Sequence, residues 1–258
     1  MAHRLKTDRF LCEYSEEEIV GKILWESHCH PHYEMIAVLE GDVFVSPEGQ
    51  EYRLLSNSVI IVPQLTYHTV RAAKKCVYRR VVIQFDPAIL PARLKEALLC
   101  GCLLFSSRRA EELCRICQEE DTEFFAPLAE CMVIELLYEG IAASSHETAR
   151  SEDKALTSAL AYMEKNLASS MTLDEIALAA RMSKSSFCRL FSEKMKTSPK
   201  QYILQKRMAT AAKRLEEGAT PTIVAEELGY RNYSDFYRIY KKTFGISPKA
   251  SARRAWQT

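Results

Sequence analysis

Part of this chain occurs twice, and that repetition narrows the folds open to it. SKSSFCRLFSEKMKTSPK (183–200) laid under NYSDFYRIYKKTFGISPK (232–249) agrees at a constant offset of 49. Phe187 falls on Phe236, Arg189 on Arg238, Phe191 on Tyr240, and Ser-Pro-Lys closes both. Upstream, IALAARM (176–182) falls on VAEELGY (224–230) at an offset of 48, so the second copy has one extra turn residue. Each copy reads helix, short turn, helix. Thr172 before Leu-Asp-Glu is an N-cap with acid in the first turn, and Ser183 is a second candidate cap. Ile176, Ala177 and Ala180 leave room for two helices to cross closely, as a helix-turn-helix requires. Between the copies, PKQYILQKRMATAAKRLEEG opens on proline and ends on glycine, the signature of one connecting helix. KALTSALAYMEKNLASS supplies a packing helix ahead of them.

Charge sets the duplicated half apart. Residues 154–258 carry 19 Lys and Arg against 9 Asp and Glu, a net of +10, and residues 1–153 carry 16 against 25, a net of −9; together they restore the chain's +1. An acidic half joined to a strongly basic one suggests a nucleic-acid partner for the second. A plain helical bundle would require neither the register of the copies nor a basic second helix in each.

A duplicated helix-turn-helix of this form resembles the DNA-binding domain of the AraC/XylS family of transcription regulators. The likeness covers about residues 155–256 and is most specific in GYRNYSDFYRIYKKTFGISPKA. It implies that the second helix of each unit enters the major groove of double-stranded DNA, the two lying about one turn, roughly 34 Å, apart. The reading positions it implies are Ser185, Cys188 and Arg189 in the first unit, and Tyr233, Ser234, Tyr237 and Arg238 in the second. Arg189 and Arg238 are the base readers, since guanidinium pairs bidentately with guanine O6 and N7. Lys184, Lys194, Lys241 and Lys242 hold phosphates, which positions without specifying. Phe187, Leu190, Phe191, Phe236, Ile239 and Tyr240 fall on the inward face. Cys188 departs from a hydrogen-bonding reader, and Tyr233 and Tyr237 suit methyl or sugar contacts.

In the acidic half, MIAVLEG, DVFVSPEGQEYRLL, SNSVIIVP and CVYRRVVIQF are short β-rich stretches divided by Gly, Pro, Asn and Ser, the pattern of a small antiparallel structure. SPEGQ reads as a hairpin turn. Ile36 and Val38 on one face, with Met35, Ala37 and Leu39 on the other, require cover on both sides, as in a barrel or double sheet. Just upstream, HCHPHYE puts His28, His30, His32 and Glu34 at alternate positions, on one face of an extended strand. The spacing His28-x-His30-x3-Glu34-x6-Gly41 resembles the first motif of the cupins, and Pro63-x4-His68 looks like part of the second. Asn57 and Leu65 stand where cupins usually have glycine, and Ala72 where they often have asparagine. The resemblance implies a set of His28, His30, Glu34 and His68, with His32 outside it. Such a set suits zinc, iron, nickel or manganese, or it lines a pocket whose polar groups hydrogen-bond an organic ligand. A strand end bearing solvated histidines is the third reading.

Beyond Phe85, AILPARLKEALL, RRAEELCRICQEE and APLAECMVIELLYEGIAA place apolar residues three and four apart, as amphipathic helices do. The last is expected to pack on the β structure, with surplus apolar surface for a second subunit. SSHETARSEDK is small and polar, and reads as a linker. Nine cysteines, an odd number in a chain this long, fit reduced thiols better than a disulfide framework. Cys100-x-Cys102 with Cys114-x-x-Cys117 matches a four-thiolate zinc spacing, but helical context makes Cys114 and Cys117 small buried residues. No apolar run approaches the roughly 20 residues of a membrane span, and MAHRLKTDRFLCEYSEEE has no apolar signal region.

The expected fold is α+β in two domains. A cupin-like, jelly-roll-type β-barrel followed by helices (1–143) serves ligand sensing and dimerisation. A linker (144–153) leads to an all-α domain of two helix-turn-helix units joined by a long helix (154–258). The expected function is a ligand-responsive, sequence-specific transcription regulator and not an enzyme. Its partners are DNA, a small-molecule effector, RNA polymerase and a second copy of itself. A cytoplasmic location is expected, with no membrane partner and no required cofactor, the cupin-like ligand set being compatible with a divalent transition metal. The alternative is a metal-dependent cupin enzyme tethered to DNA-binding helices.

Overall fold

The computed structural model describes residues 2–7, 10–19, 27–91, 94, 98, 101–119, 122–143 and 154–253. Its contacts divide the chain into two compact units, one drawn mainly from residues 1–149 and the other mainly from 150–258. The expected linker at 144–153, and half of the helix expected over 88–99, lie outside the described residues.

The first unit is built on two antiparallel sheets. Strands β1 (Ala2–Lys6), β2 (Phe10–Ile19), β3 (Tyr33–Glu40), β6 (Ser58–Val62), β8 (Cys76–Phe85) and β9 (Leu103–Ser106) form a six-stranded sheet in the order β1-β2-β8-β3-β6-β9. Strands β4 (Asp42–Val45), β5 (Tyr52–Leu55) and β7 (Val70–Ala72) form a smaller sheet in the order β5-β4-β7. The SPEGQ turn joins β4 to β5, with Glu48 in the left-handed region at φ 47°.

β3 shows why both of its faces are apolar. Met35, Ala37 and Leu39 join Val81, Ile83 and Phe85 in a core closed by helices α1 (Ala110–Cys117) and α2 (Thr122–Ala143). Ile36 and Val38 point the other way, into a second core shared with Val43 and Val45 of the smaller sheet and with Val62 and Tyr78. Alternation along one strand therefore feeds two cores, one under helices and one between sheets. β1, β2 and β9 were not anticipated. The run Glu16-Glu17-Glu18 in β2 is exposed, which erases the period-two signal there.

The thiols need a correction. Reduced cysteines were expected throughout, but Cys12 on β2 and Cys117 at the end of α1 are joined in a disulfide. Both lie within the helix-covered core, where α1 lies on the sheet. Their separation of 105 residues leaves no local trace in the sequence. The four-thiolate zinc spacing is not assembled either. Cys117 is spent in the disulfide, Cys102 packs at the inter-sheet core, and Cys100 lies outside the described residues. Cys114 is free and buried, and burial pushes its thiol pKa up.

The second unit is helical: α3 (Lys154–Lys165), α4 (Leu173–Ala179), α5 (Lys184–Met195), α6 (Pro199–Glu216), α7 (Pro221–Glu227), α8 (Tyr233–Phe244) and α9 (Pro248–Arg253). The boundaries follow local chemistry. Thr172 and Glu175 form a reciprocal capping box at α4, Ser183 caps α5, Ser198 caps α6 ahead of Pro199, and Asn232 caps α8. The turn between the helices of each copy passes through the left-handed region at equivalent places, Arg181 (φ 56°) and Gly229 (φ 74°). The second copy encloses Val224, Ala225, Phe236 and Tyr240 against Met208, Ala211 and Leu215 of α6. Among the described residues, no helix is long and apolar enough to cross a membrane.

Candidate functional site

Two surfaces collect the residues singled out by sequence. On α5 and α8 the helical period sorts side chains cleanly. Phe187, Phe191, Phe236 and Tyr240 are buried, and Leu190 and Ile239 half-buried, so the expected inward face is inward. Ser185, Arg189, Tyr233, Ser234, Tyr237 and Arg238 are exposed, as are Lys184, Lys194, Lys241 and Lys242, while Cys188 is half-buried. Each helix thus offers solvent a polar and basic strip backed by an aromatic core. Two of the cations are already engaged. Lys184 Nζ lies 2.8 Å from Asp174 on α4, and this carboxylate raises the lysine pKa. Arg238 Nη2 donates to Asp235 Oδ1 at 2.9 Å.

The other surface lies at one end of the inter-sheet core. Ligand atoms of His28, His30, Glu34 and His68 all fall within 4.8 Å of one another. Glu34 shares a face with Ile36 and Val38 on β3, which brings its carboxylate to the interior. It is buried, as is His68, which precedes β7. His68 Nε2 lies 3.1 Å from Glu34 Oε1, and Gln84 Nε2 donates to Glu34 Oε2 at 3.0 Å. His68 Nδ1 lies 2.9 Å from the Thr66 carbonyl oxygen. A carbonyl only accepts, so Nδ1 carries the proton and the Nε2 lone pair of a neutral ring points at Glu34. Two acceptors facing one another require a proton or a cation between them. His28 and His30 are half-buried, with ring centroids 5.6 Å apart. The donor set of imidazoles and one carboxylate fits a divalent transition metal.

One residue at this end escaped the sequence reading, and a second polar group lies farther along the same strand. Gln84 stands opposite Glu34 on β8; Tyr78 lies on the same face of that strand but toward its other end, beside Gly41. The Tyr78 hydroxyl is fully buried with no hydrogen-bond partner, and burial drives its pKa well up. The period-two alternation of CVYRRVVIQF could have placed Tyr78, Arg80 and Gln84 together, but only pairing with β3 says which face is inside.

Residues 23–163, more than half of the chain, match the model of the AraC-like ligand binding domain. The chain belongs to the AraC family. Residues 176–254 match a helix-turn-helix domain model. This AraC-family chain is therefore a ligand-responsive DNA-binding transcription regulator. It is 23% identical over 227 residues to an uncharacterized HTH-type transcriptional regulator, YobQ of Bacillus subtilis, covering 88% of each chain. The transcriptional activator NphR of a Rhodococcus species is 35% identical over 127 residues, 48% of this chain and 37% of that one. Among solved structures, ToxT of Vibrio cholerae superposes over 98% of this chain and 100% of its own, at 12% identity and a TM-score of 0.45.

Proposed function

We propose that a small organic effector binds at the end of the inter-sheet core marked by His28, His30, Glu34 and His68. Its binding changes the DNA affinity of the basic helices or their recruitment of RNA polymerase. The observation that supports this most is the convergence of four chemically active side chains at the end of an apolar interior. A few fixed polar groups in an apolar wall are what orient a small ligand. The Gln84 amide adds to that wall's polar set. On this reading residues 1–143 sense and dimerise, 144–153 link, and 154–258 bind DNA. The protein acts in the cytoplasm by binding rather than turnover, as the transcriptional regulators it resembles suggest. A second copy meets α2 on its exposed apolar face, which carries Phe124, Leu128 and Tyr138. On DNA, Arg189 and Arg238 read bases; Ser185, Cys188, Tyr233, Ser234 and Tyr237 line the groove; Lys184, Lys194, Lys241 and Lys242 hold phosphates. Sensing and DNA binding communicate through a coupling free energy, typically about 1–3 kcal/mol.

A thermal-shift screen of sugars, aromatic acids and other organic ligands on the whole protein tests this, because a ligand stabilises by mass action. A compound that raises the melting temperature of wild type but not of Glu34→Gln, and that alters DNA affinity, is the expected result. A compound that shifts both proteins equally would move the effector elsewhere.

The orientation of His68 favours a second reading, in which His28, His30, Glu34 and His68 hold a divalent transition metal. Elemental analysis decides between them. One zinc, iron, nickel or manganese per chain in wild type, lost in Glu34→Gln, selects the metal.

A further inference from the structure

Both copies of the helix-turn-helix cap their second helix with a short polar side chain, and they part in what stands three residues after the cap. In the first copy Ser183 caps α5; its hydroxyl accepts the Ser186 amide N–H at 3.3 Å and lies 2.9 Å from Ser186 Oγ. In the second, Asn232 caps α8 in the same register. Its Oδ1 accepts the Asp235 amide N–H at 2.9 Å, and its Nδ2 donates to Asp235 Oδ2 at 3.0 Å. At the offset of 49, Asp235 stands where the first copy has Ser186. The second oxygen of Asp235 is thereby aimed along the helix, and it accepts from Arg238 Nη2. A relay runs Asn232–Asp235–Arg238, anchored at the cap and ending on the guanidinium. In the first copy Ser186 carries no charge and its hydroxyl turns to the cap, so Arg189 has no such brace one turn back.

We infer that Asp235 is a positioning residue for DNA reading: it holds the Arg238 guanidinium in one orientation and so sets the base selectivity of the second helix-turn-helix. This rests on the reading of Arg238 as a base contact. Arginine carries five N–H donors, and one given to Asp235 leaves a free edge for guanine O6 and N7. Its long stem is otherwise free to sample many rotamers, and the Arg238 side chain is 77% exposed. A fixed fork discriminates better than a mobile one, because it cannot swing to a phosphate or a neighbouring base when the correct base is missing. The Asp235 charge works in the same direction. It is 51% exposed beside a surface meant for polyanionic DNA, so it weakens contacts that do not use Arg238. Helix capping alone would not call for the charge: an asparagine at 235 could keep the exchange with Asn232 and lose the brace.

The consequence is a signature that a structural role does not produce. Asp235→Asn should lower selectivity and raise non-specific affinity together, with the melting temperature little changed. The experiment is binding-site selection from a randomised duplex library at fixed salt, using the full chain as wild type, D235N, R238A and S186D. R238A should relax one base pair, and D235N should relax that same pair by about threefold or more while binding random duplex at least as tightly as wild type. S186D should sharpen the pair assigned to Arg189. If R238A relaxes a pair that D235N leaves at the wild-type ratio, the inference is overturned while Arg238 stays a reader. If R238A relaxes no pair, the reading of Arg238 fails first and takes the inference with it. An unchanged ratio in S186D counts against the rule that a carboxylate at this position braces the arginine.

Discussion

Gly229→Ala should strip about 3 kcal/mol from the helical unit, and the structure separates the causes. Gly229 occupies the left-handed region at φ 74°, in the turn between α7 and α8. A side chain there costs about 1–2 kcal/mol from Cβ against the following carbonyl. That alone is survivable, because Arg181 holds the equivalent place in the first copy at φ 56°. The larger cost is contact. A Cβ on Gly229 would lie 2.1 Å from the Ala168 carbonyl oxygen, a backbone atom. Its neighbours are pinned, since Arg207 donates from Nε to the Leu167 carbonyl at 2.7 Å and from Nη2 to the Ser169 carbonyl at 2.6 Å. Overpacking against backbone that cannot move aside costs about 1–3 kcal/mol. Urea denaturation followed by helical circular dichroism measures the sum, with Arg181→Ala as control. That control keeps an L-residue in the same conformation without the contact, and should stay within about 0.5 kcal/mol of wild type. A loss under about 0.5 kcal/mol for Gly229→Ala, or an equal loss in both variants, would refute the reasoning.

Three further outcomes are expected. DNA binding should fall steeply with salt, the log–log slope being about −0.9 per phosphate neutralised, and Lys242→Ala should shorten that slope while weakening all sequences alike; a salt-independent gel shift would contradict the basic face. Removing the capping box with Thr172→Ala should cost about 0.5–2 kcal/mol. Hydrogen bonds from the Thr172 backbone and side chain hold the Glu175 carboxyl below its usual range, so its contribution is full above the ordinary carboxylate pKa and is lost as pH falls through the lowered folded value; a cap penalty unchanged down that pH range would show Glu175 to be uninvolved. Non-reducing peptide mapping should recover Cys12 linked to Cys117, and because the bond closes a long loop, Cys12→Ser should destabilise the first unit by up to about 4.7 kcal/mol under oxidising conditions and by far less under reducing ones.

How much of this was legible in the sequence follows from how far each interaction reaches. The helix-turn-helix copies could be read because their determinants are local. Thr172 and Glu175, Ser183 and Ser186, and Asn232 and Asp235 meet within one turn, and Phe187, Phe191, Phe236 and Tyr240 fall inward on a 3.6-residue period alone. The Asp235–Arg238 pair is local too, and its spacing of three was there to be seen. HCHPHYE declared its ligand types but not its conformation: the expected extended strand starts only at Tyr33, with bends at Pro31 and His32, so strand alternation does not carry His28 and His30 to Glu34. Pairing was what the sequence could not supply. Glu34 and His68 are 34 residues apart, Glu34 and Gln84 are 50 apart, and Cys12 and Cys117 are 105 apart. Which strands lie side by side, which face of β8 turns inward, and that α1 brings its last residue over β2 are decided by burying two apolar faces at once. No short window of residues contains that condition. The helical reader was legible because its contacts close within a turn, and HCHPHYE showed its ligand types because composition needs no partner. Which distant side chains complete the site follows from tertiary packing, because those contacts exist only once both cores have formed.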